Sequence, residues 1–291
     1  MLTEEQRAAF EEGGYLRLPA MLPADLLARL RALFDMLLDP EDTAGKVVLE
    51  QGGRRLVTNL EVLCNKGNLA CLELLGYPPL LELAQAICGP DFFLIQEFAV
   101  IKHGGDGVPV LWHQDMVHGR TGACFTLGIY LDDAAEGDGA LQVVPGSHTS
   151  GRKICDLMHE PNIEVPMRAG DWLMHDMMLA HASGPAEVNP LRRVIYFEFL
   201  SAAHALGEAI YSRELIERRT RLLFAATRLH QMRNPGTPPF RHGRSSPDPG
   251  DEDKSIEAIV EEVYSAPINA RPSAYCIMGT SVFSDALDAR S

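Results

Sequence analysis

His113 and Asp115, separated by one residue at the end of an apolar stretch, are the most informative chemical feature of the sequence. In an extended segment, residues i and i+2 point to the same side, so both side chains can reach one metal ion. His181 follows much later, upstream of two adjacent arginines. Two histidines and one carboxylate on one face of iron(II) leave the opposite face open for a chelating cosubstrate and oxygen. The pattern therefore predicts a non-haem iron site whose third ligand comes from a distant strand.

Length, composition and charge limit the number of domains and the kind of partner. The chain has 291 residues, of which 46% are hydrophobic, so it can bury a large core within one elaborated β domain. Its formal net charge of -14 disfavours non-specific binding to nucleic acid or to an anionic membrane surface. No apolar run approaches the roughly 18 residues of a membrane-spanning helix, and residues 1–10 read as a polar helix rather than a leader. We therefore expect a cytoplasmic protein with a small-molecule substrate and no nucleic-acid or membrane partner, whose oligomeric state is unknown.

The six cysteines are scattered along the chain and include no Cys-x-x-Cys pair. A chain of this length does not need covalent links to stabilise its core. We expect all six to be reduced thiols: Cys64, Cys71, Cys88, Cys124, Cys155 and Cys276.

Residues 91–202 carry the pattern of a β domain. Short apolar or alternating runs are separated by Gly, Pro and Asp, which is typical of a sandwich or barrel. The strands expected here are residues 92–102, 122–131, 140–144, 163–167, 172–175 and 194–200. Eight short antiparallel strands in two sheets make a jelly roll. The expected fold is mainly β with flanking helices, a cupin-like jelly roll or double-stranded β-helix.

Residues 1–90 are expected to supply N-terminal helices and the first strands. A capping box at Thr3 opens a helix that ends at Gly13, and Pro23 begins a second helix with leucines at helical spacing. A short strand over residues 15–18 separates them, and a further helix is expected over residues 79–88. The stretch around Gly52 and Gly53 reads as irregular.

Residues 203–291 are expected to form a C-terminal helical appendage to the same single domain, which spans 1–291. One continuous helix is predicted over residues 206–233 and a second, amphipathic one over residues 255–264. The Pro-, Gly- and Ser-rich segment 234–253 between them is expected to be mobile and is a candidate lid over the site.

Three sequence blocks together resemble the phytanoyl-CoA dioxygenase family. The blocks are Trp112-His113-Gln114-Asp115, Gly139 to His148 with its Pro-Gly-Ser-His ending, and His181-Ala182-Ser183-Gly184 followed by Leu191-Arg192-Arg193. They occur in family order and at family spacing, and the resemblance covers roughly residues 15–202. It implies an iron(II)- and 2-oxoglutarate-dependent dioxygenase on a double-stranded β-helix. Such an enzyme uses O2, hydroxylates a small metabolite or natural-product intermediate at an unactivated carbon, and releases succinate and CO2.

The resemblance also implies roles for individual residues. His113, Asp115 and His181 match the iron ligands. Arg192 matches the arginine that holds the distal carboxylate of 2-oxoglutarate, a role that suits a guanidinium fork. Arg193 is the fallback, because adjacent residues on a strand face opposite sides and only one of the two can enter the barrel.

Further residues are implied to contact the cosubstrate or the substrate. Ser183 matches a hydroxyl that assists the same carboxylate as Arg192. In the related ectoine hydroxylases, the position of Lys102 holds a lysine that contacts 2-oxoglutarate, and that of Gln96 a glutamine that contacts substrate. Met116 and His118, just past Asp115, are candidates for lining the substrate pocket.

Two positions bear on what the site would do. Asp115 is retained, whereas halogenating relatives replace that carboxylate with a small residue so that chloride can bind the iron, so hydroxylation is favoured over halogenation. Many relatives have a tryptophan near the position of Gly128. The absence of that tryptophan here would open the pocket on that side. The eight histidines other than His113 and His181, His175 among them, are expected to have no metal role.

Two other classes of function remain open from the sequence. A cupin-like metal enzyme would not use 2-oxoglutarate, and Arg192 is the residue that distinguishes it. A non-catalytic metal- or ligand-binding protein would keep the site without turnover. The sequence names neither the substrate nor the position and stereochemistry of its oxidation, nor does it separate hydroxylation from desaturation or cyclisation.

Overall fold

The structure, a computed structural model, describes residues 2–115, 123–268 and 273–283. In these ranges the helices are α1 Glu4–Gly13, α2 Ala24–Leu37, α3 Ala70–Leu75, α4 Pro78–Cys88, α5 Ile154–Leu157, α6 Ala202–Gly207, α7 Arg213–Arg233 and α8 Ile256–Tyr264. The strands are β1 Tyr15–Leu18, β2 Lys46–Gln51, β3 Arg54–Glu61, β4 Phe92–His103, β5 Val110–Gln114, β6 Cys124–Tyr130, β7 Leu141–Val143, β8 Ile163–Val165, β9 Trp172–Asp176, β10 His181–Ser183, β11 Leu191–Ser201, β12 Ala274–Ile277 and β13 Thr280–Phe283.

The strands form two antiparallel sheets. The major sheet has the strand order β1-β9-β6-β11-β4-β3-β2, and the minor sheet has the order β13-β12-β5-β10-β7-β8. One buried cluster joins side chains of both sheets, including Tyr130 of the major sheet and Leu141 of the minor sheet. The predicted jelly roll with flanking helices is confirmed, and β4 to β11 supply its eight central strands.

The central strand of the major sheet, β11, is buried on both faces, and its side chains alternate between two environments. Arg192, Tyr196 and Glu198 point between the sheets, whereas Ile195 and Phe197 belong to the core under the helices. That outer core is filled by α2, α3, α4, α7 and α8. The described helices include none that is both long enough and apolar enough to cross a bilayer.

The N-terminal elements largely follow the prediction. Thr3 accepts a hydrogen bond from the backbone N–H of Gln6, whose side chain accepts one from the N–H of Thr3, so the capping box is confirmed. The stretch that reads as irregular is instead the hairpin β2–β3. Its turn is Gly52-Gly53, both with positive φ, which is the conformation that a tight two-residue hairpin turn requires.

The C-terminal part differs from the prediction in two places. The continuous helix predicted over residues 206–233 is wrong at its start, because Ser212 accepts a hydrogen bond from the N–H of Leu215 and begins α7 separately from α6. The C-terminal appendage is also not purely helical, because it contains two strands after α8. They form the hairpin β12–β13, in which β12 pairs with β5 through Tyr275 opposite His113.

Cys155 and Cys276 form a disulfide that links α5 to β12 across 121 residues of sequence. The prediction that all six cysteines are reduced is therefore wrong for this pair. The other four, Cys64, Cys71, Cys88 and Cys124, are buried and take part in no disulfide among the described residues.

The candidate lid, residues 234–253, packs against α7. Arg244 donates hydrogen bonds to the carbonyl of Phe92 and to the hydroxyl of Thr220, and Asp251 is buried against Arg221 at 2.6 Å. No residue of the segment lines the cavity that contains His113 and Asp115 in the part of the chain described. The segment is thus held on the helical side of the major sheet, away from the position of a lid.

Candidate active site

Three side chains predicted to bind metal converge between the sheets. His113 lies on β5 and pairs directly with His181 on the adjacent strand β10, and Asp115 follows β5. The Oδ1 atom of Asp115 lies 3.4 Å from Nε2 of His113 and 3.6 Å from Nε2 of His181. One potential ligand atom from each residue lies within 4.8 Å of the other two, so a single ion can contact all three.

Each of the two imidazoles is fixed by the carbonyl of the residue two positions before it in the chain. Nδ1 of His113 donates to the carbonyl of Leu111 at 2.7 Å, and Nδ1 of His181 donates to that of Leu179 at 2.9 Å. A carbonyl can only accept, so Nδ1 carries the proton and Nε2 presents its lone pair to the centre. Burial, and then the charge of His113, hold the pKa of His181 well below its usual value, which keeps the ring neutral. Both rings are thus oriented as metal ligands.

The carboxylate of Asp115 is oriented from the major sheet. Burial alone would raise its pKa, but the neighbouring imidazoles, that of His181 first and then that of His113, lower the pKa below its ordinary value. Thr126 donates to Oδ2 at 2.8 Å, which leaves Oδ1 facing the two imidazoles. Ser273 donates to the backbone carbonyl of Asp115 at 2.9 Å.

Arg192 lies in the same cavity with unused hydrogen-bonding capacity. Its side chain is 1% exposed, and neither Nε nor Nη2 has a hydrogen-bond partner among the described residues. Its guanidinium lies over the ring of Tyr130, 5.5 Å from the centroid. A buried cation with two free N–H groups is the observation expected of a site for a carboxylate ligand.

Lys102 faces Arg192 across the β4–β11 pair. Its Nζ donates to three backbone carbonyls, those of Val108, Ser183 and Gly184, at 3.0, 3.2 and 2.7 Å. Burial and the neighbouring Arg192 lower the pKa of Lys102 to about 7. The ammonium therefore ties β10 to the loop before β5, while the buried side chain of Ser183 lines the cavity close by.

Arg193 does not enter the cavity. It donates to Asp132 at 2.8 Å and to Asp35 on α2 at 2.7 Å. It thus attaches α2 to the outer face of the major sheet, and the fallback assignment of Arg193 to the cosubstrate is wrong. The alternation of side chains along β11 decides between the two arginines.

The cavity has a volume of about 370 Å³ and also contains Gln96. Gln96 donates to Oε2 of Glu198 at 2.9 Å. Met116 and His118 lie outside the described residues.

Several residues around the centre were missed from the sequence. His175 on β9 lies beside His181, with ring centroids 4.5 Å apart and ring planes tilted by 51°, and its Nδ1 lies 3.8 Å from Oδ2 of Asp115. Tyr275 on β12 stacks on His113 at 4.8 Å with an interplanar angle of 9°. Thr126 and Glu198 complete the group. Glu198 could have been predicted, because it lies an even number of residues after Arg192 on the same strand and therefore faces the same side.

The space beside Gly128 is filled. A Cβ built there would lie 3.0 Å from Cε1 of Tyr196, which stacks on Phe98 with centroids 5.2 Å apart. The pocket is therefore not open on this side as expected, because the tyrosine occupies the region next to the glycine.

Comparison with known proteins agrees with this geometry. The family model described as phytanoyl-CoA dioxygenase matches residues 10–194. The chain is 28% identical to L-proline trans-4-hydroxylase from Streptomyces griseoviridis over 59% of this chain and 63% of the relative. It is 25% identical to ectoine dioxygenase from Nocardia farcinica over 70% and 80%, respectively. The chain thus spans less than two thirds of the length of the proline hydroxylase.

A similar fold is found among solved structures. The crystal structure of AviO1 from Streptomyces viridochromogenes Tue57 superimposes with a TM-score of 0.60 at 26% identity, covering 70% of this chain and 98% of that one. The part of the present chain that is aligned is comparable in extent to the part matched by the family model.

Proposed function

Because the chain belongs to the phytanoyl-CoA dioxygenase family, we propose that it is an iron(II)- and 2-oxoglutarate-dependent oxygenase that hydroxylates a small metabolite or natural-product intermediate. One observation carries the proposal. Three oriented ligand atoms and a buried arginine with free N–H groups line the same cavity. The first feature suits iron, and the second suits the far carboxylate of 2-oxoglutarate.

His113, Asp115 and His181 would hold iron(II), since neutral imidazoles and one carboxylate are a ligand set that non-haem iron accepts. Bound iron(II), 2-oxoglutarate and O2 together supply the oxidation that inserts one oxygen atom into a C–H bond and leaves succinate and CO2. Thr126 and the carbonyls of Leu111 and Leu179 keep the ligands in orientation.

Arg192 would bind the distal carboxylate of 2-oxoglutarate through Nε and Nη2. Tyr130 shields the guanidinium from water, which strengthens the charge-assisted hydrogen bonds. Ser183 lines the same cavity and would assist Arg192 in binding this carboxylate. Lys102 contributes positive charge and holds the loop, because its donors already bond three carbonyls.

A cupin-like enzyme that does not use 2-oxoglutarate is disfavoured by Arg192. Burying a cation without a partner costs several kcal/mol, on the order of the penalty for an isolated buried ion. Such a cost is expected to be offset by a ligand. Retention of Asp115 favours hydroxylation over halogenation, as expected from the resemblance.

The proposal extends to domain organisation and location. Residues 1–291 form a single oxygenase domain, supported by β12 and β13 of the C-terminal part joining the minor sheet. The partner is a small molecule, and neither nucleic acid nor membrane is bound. The proposed location is the cytoplasm, although the disulfide between Cys155 and Cys276 is of a kind that is rare there. Cell fractionation tests this location, and recovery of the protein outside the cytoplasmic fraction would contradict it.

The test is an anaerobic titration of the metal-free protein with iron(II) and 2-oxoglutarate, monitoring the weak visible charge-transfer band of the chelate. Wild-type protein should show the band, Asp115→Ala should lose it, and Arg192→Ala should require more 2-oxoglutarate. Arg193→Ala is the matched control and should behave as wild type in this assay. Stoichiometric iron binding without a band in the wild-type protein would refute the use of 2-oxoglutarate.

A further inference from the structure

A polar row on the inner face of the major sheet includes a carboxyl group that neither the iron ligands nor the 2-oxoglutarate anchor uses. Glu198 on β11 pairs with Thr126 on β6, which in turn pairs with His175 on β9. Gln96 on β4 joins the other end of the row through its hydrogen bond to Glu198. Thr126 bonds Asp115, whereas among the described residues Glu198 is hydrogen-bonded only by Gln96.

Glu198 is buried without a cation. Its residue is 4% exposed, and its only hydrogen bond in the described chain comes from Nε2 of Gln96 to Oε2 at 2.9 Å. No arginine, lysine or histidine of the described residues forms an ion pair with it, and Oε1 is left for a ligand. A buried carboxylate without a partner is unfavourable, since desolvation is not offset by any opposite charge.

Burial, followed by the charge of Asp115, raises the pKa of Glu198 well above its usual range. A cation placed beside Oε1 would stabilise the ionised form. Arg192 and Lys102 do not supply this cation, because they pair with each other in register six residues from Glu198 along β11, and Lys102 donates to backbone carbonyls instead.

The aromatic lining next to Glu198 favours the same kind of ligand. Phe98 and Tyr196 stack with centroids 5.2 Å apart and both line the cavity. Aromatic faces attract cations, and the attraction grows when the cation is desolvated. A carboxyl group beside two aromatic rings is a combination suited to a substituted ammonium group rather than to an anion.

We propose that Glu198, held by Gln96, binds a protonated nitrogen of the substrate, so that the substrate class is a small metabolite carrying a basic amine. The inference rests on the proposed function, because it concerns the same cavity. A volume of about 370 Å³, which 2-oxoglutarate has to share, restricts the substrate to a small molecule.

The experiment compares two probes of similar shape, cyclohexylamine and cyclohexanol, at neutral pH. Their dissociation constants are measured by calorimetry on the anaerobic protein loaded with iron(II) and 2-oxoglutarate. The wild-type protein should bind the amine about 10-fold or more tightly than the alcohol, the size expected of one charge-assisted hydrogen bond. Glu198→Gln should lose this preference, and Glu198→Asp should retain part of it because it keeps the charge.

Glu164→Gln is the matched control, since Glu164 bonds Gln142 and the N–H of Gly137 and does not line the cavity. It should keep the wild-type preference. A wild-type protein without a preference for the amine would overturn the inference, as would a preference that survives in Glu198→Gln. The charge-transfer band is recorded on the same samples. If the wild-type protein shows the charge-transfer band but does not prefer the amine, this inference alone is contradicted. If the wild-type protein shows no band, the proposed function is contradicted.

Discussion

The two sheets contribute different parts of the site. The minor sheet supplies His113 and His181, and its end supplies Asp115. The major sheet supplies Arg192 and Glu198 from one strand, β11. The imidazoles are oriented by carbonyls two residues away, so the metal ligands depend on local structure. The groups on the major sheet depend on how distant strands pair. Metal binding and ligand binding should therefore be separable by mutation.

The largest effect is expected from the minor sheet. His113→Ala removes one of three ligand atoms and should abolish iron binding and succinate formation. Gln114→Ala is the control, because Gln114 donates to the carbonyl of Met178 instead of facing the centre. Iron content after desalting measures the outcome. Full iron occupancy in His113→Ala would contradict the division between the sheets.

The next effect tests the major sheet. Arg192→Lys keeps the charge but loses the planar fork, and it should raise the KM for 2-oxoglutarate about 10- to 100-fold while iron affinity is unchanged. Arg193→Lys should leave that KM unchanged and lower the thermal midpoint, since Arg193 bonds Asp35 and Asp132. Steady-state kinetics with metal titration distinguish the two. A large loss of iron affinity in Arg192→Lys would contradict the assignment of iron binding to the minor sheet and of 2-oxoglutarate binding to the major sheet.

Thr126 is the residue through which the major sheet acts on the metal. Thr126→Val keeps the shape but removes the hydrogen bond to Asp115, so iron affinity should fall about 10-fold, in the range known for residues that orient metal ligands. Thr149→Val, at a hydroxyl that bonds the carbonyl of Gly146 on the surface, is the control. Chelator competition measures the affinity. An unchanged iron affinity in Thr126→Val would mean that the major sheet does not contribute to iron binding.

The smallest effect on turnover is expected at the disulfide. Replacing Cys155 and Cys276 with Ser frees the hairpin whose Tyr275 stacks on His113, so iron affinity should fall only a few-fold. The free energy of unfolding should fall by about 2–4 kcal/mol. Urea denaturation and metal titration check both values. Wild-type protein treated with dithiothreitol should match the double variant, which should no longer respond to the reductant.

The sequence predicts the parts of the site that depend on short motifs. His113 and Asp115 share a strand face by their spacing, and alternation along β11 allows only one of Arg192 and Arg193 to enter the cavity. Six of the eight central strands were located from apolar runs bounded by turn residues, with ends shifted by a few positions, whereas β5 and β10 were not among the expected strands. Local physical rules are sufficient for these features.

The remaining features depend on contacts between distant residues. Nothing in the spacing of Cys155 and Cys276 indicates that they meet, because α5 and β12 are brought together by the minor sheet. The bulge between Phe197 and Phe199 sets the register that brings Gln96 to Glu198. The hairpin at Gly52-Gly53 was overlooked, although two glycines between strand-like runs are a turn signal.

Gly128 and Tyr196 limit how this pocket can change during evolution. A Cβ at position 128 would lie 3.0 Å from Cε1 of Tyr196, so any side chain there requires the ring to shift by a few tenths of an ångström. A substitution at Gly128 is thus costly while Tyr196 is present, whereas a smaller residue at 196 enlarges the cavity at once. Descendants of this sequence that accept bulkier substrates should therefore change position 196 first, and the two positions should covary.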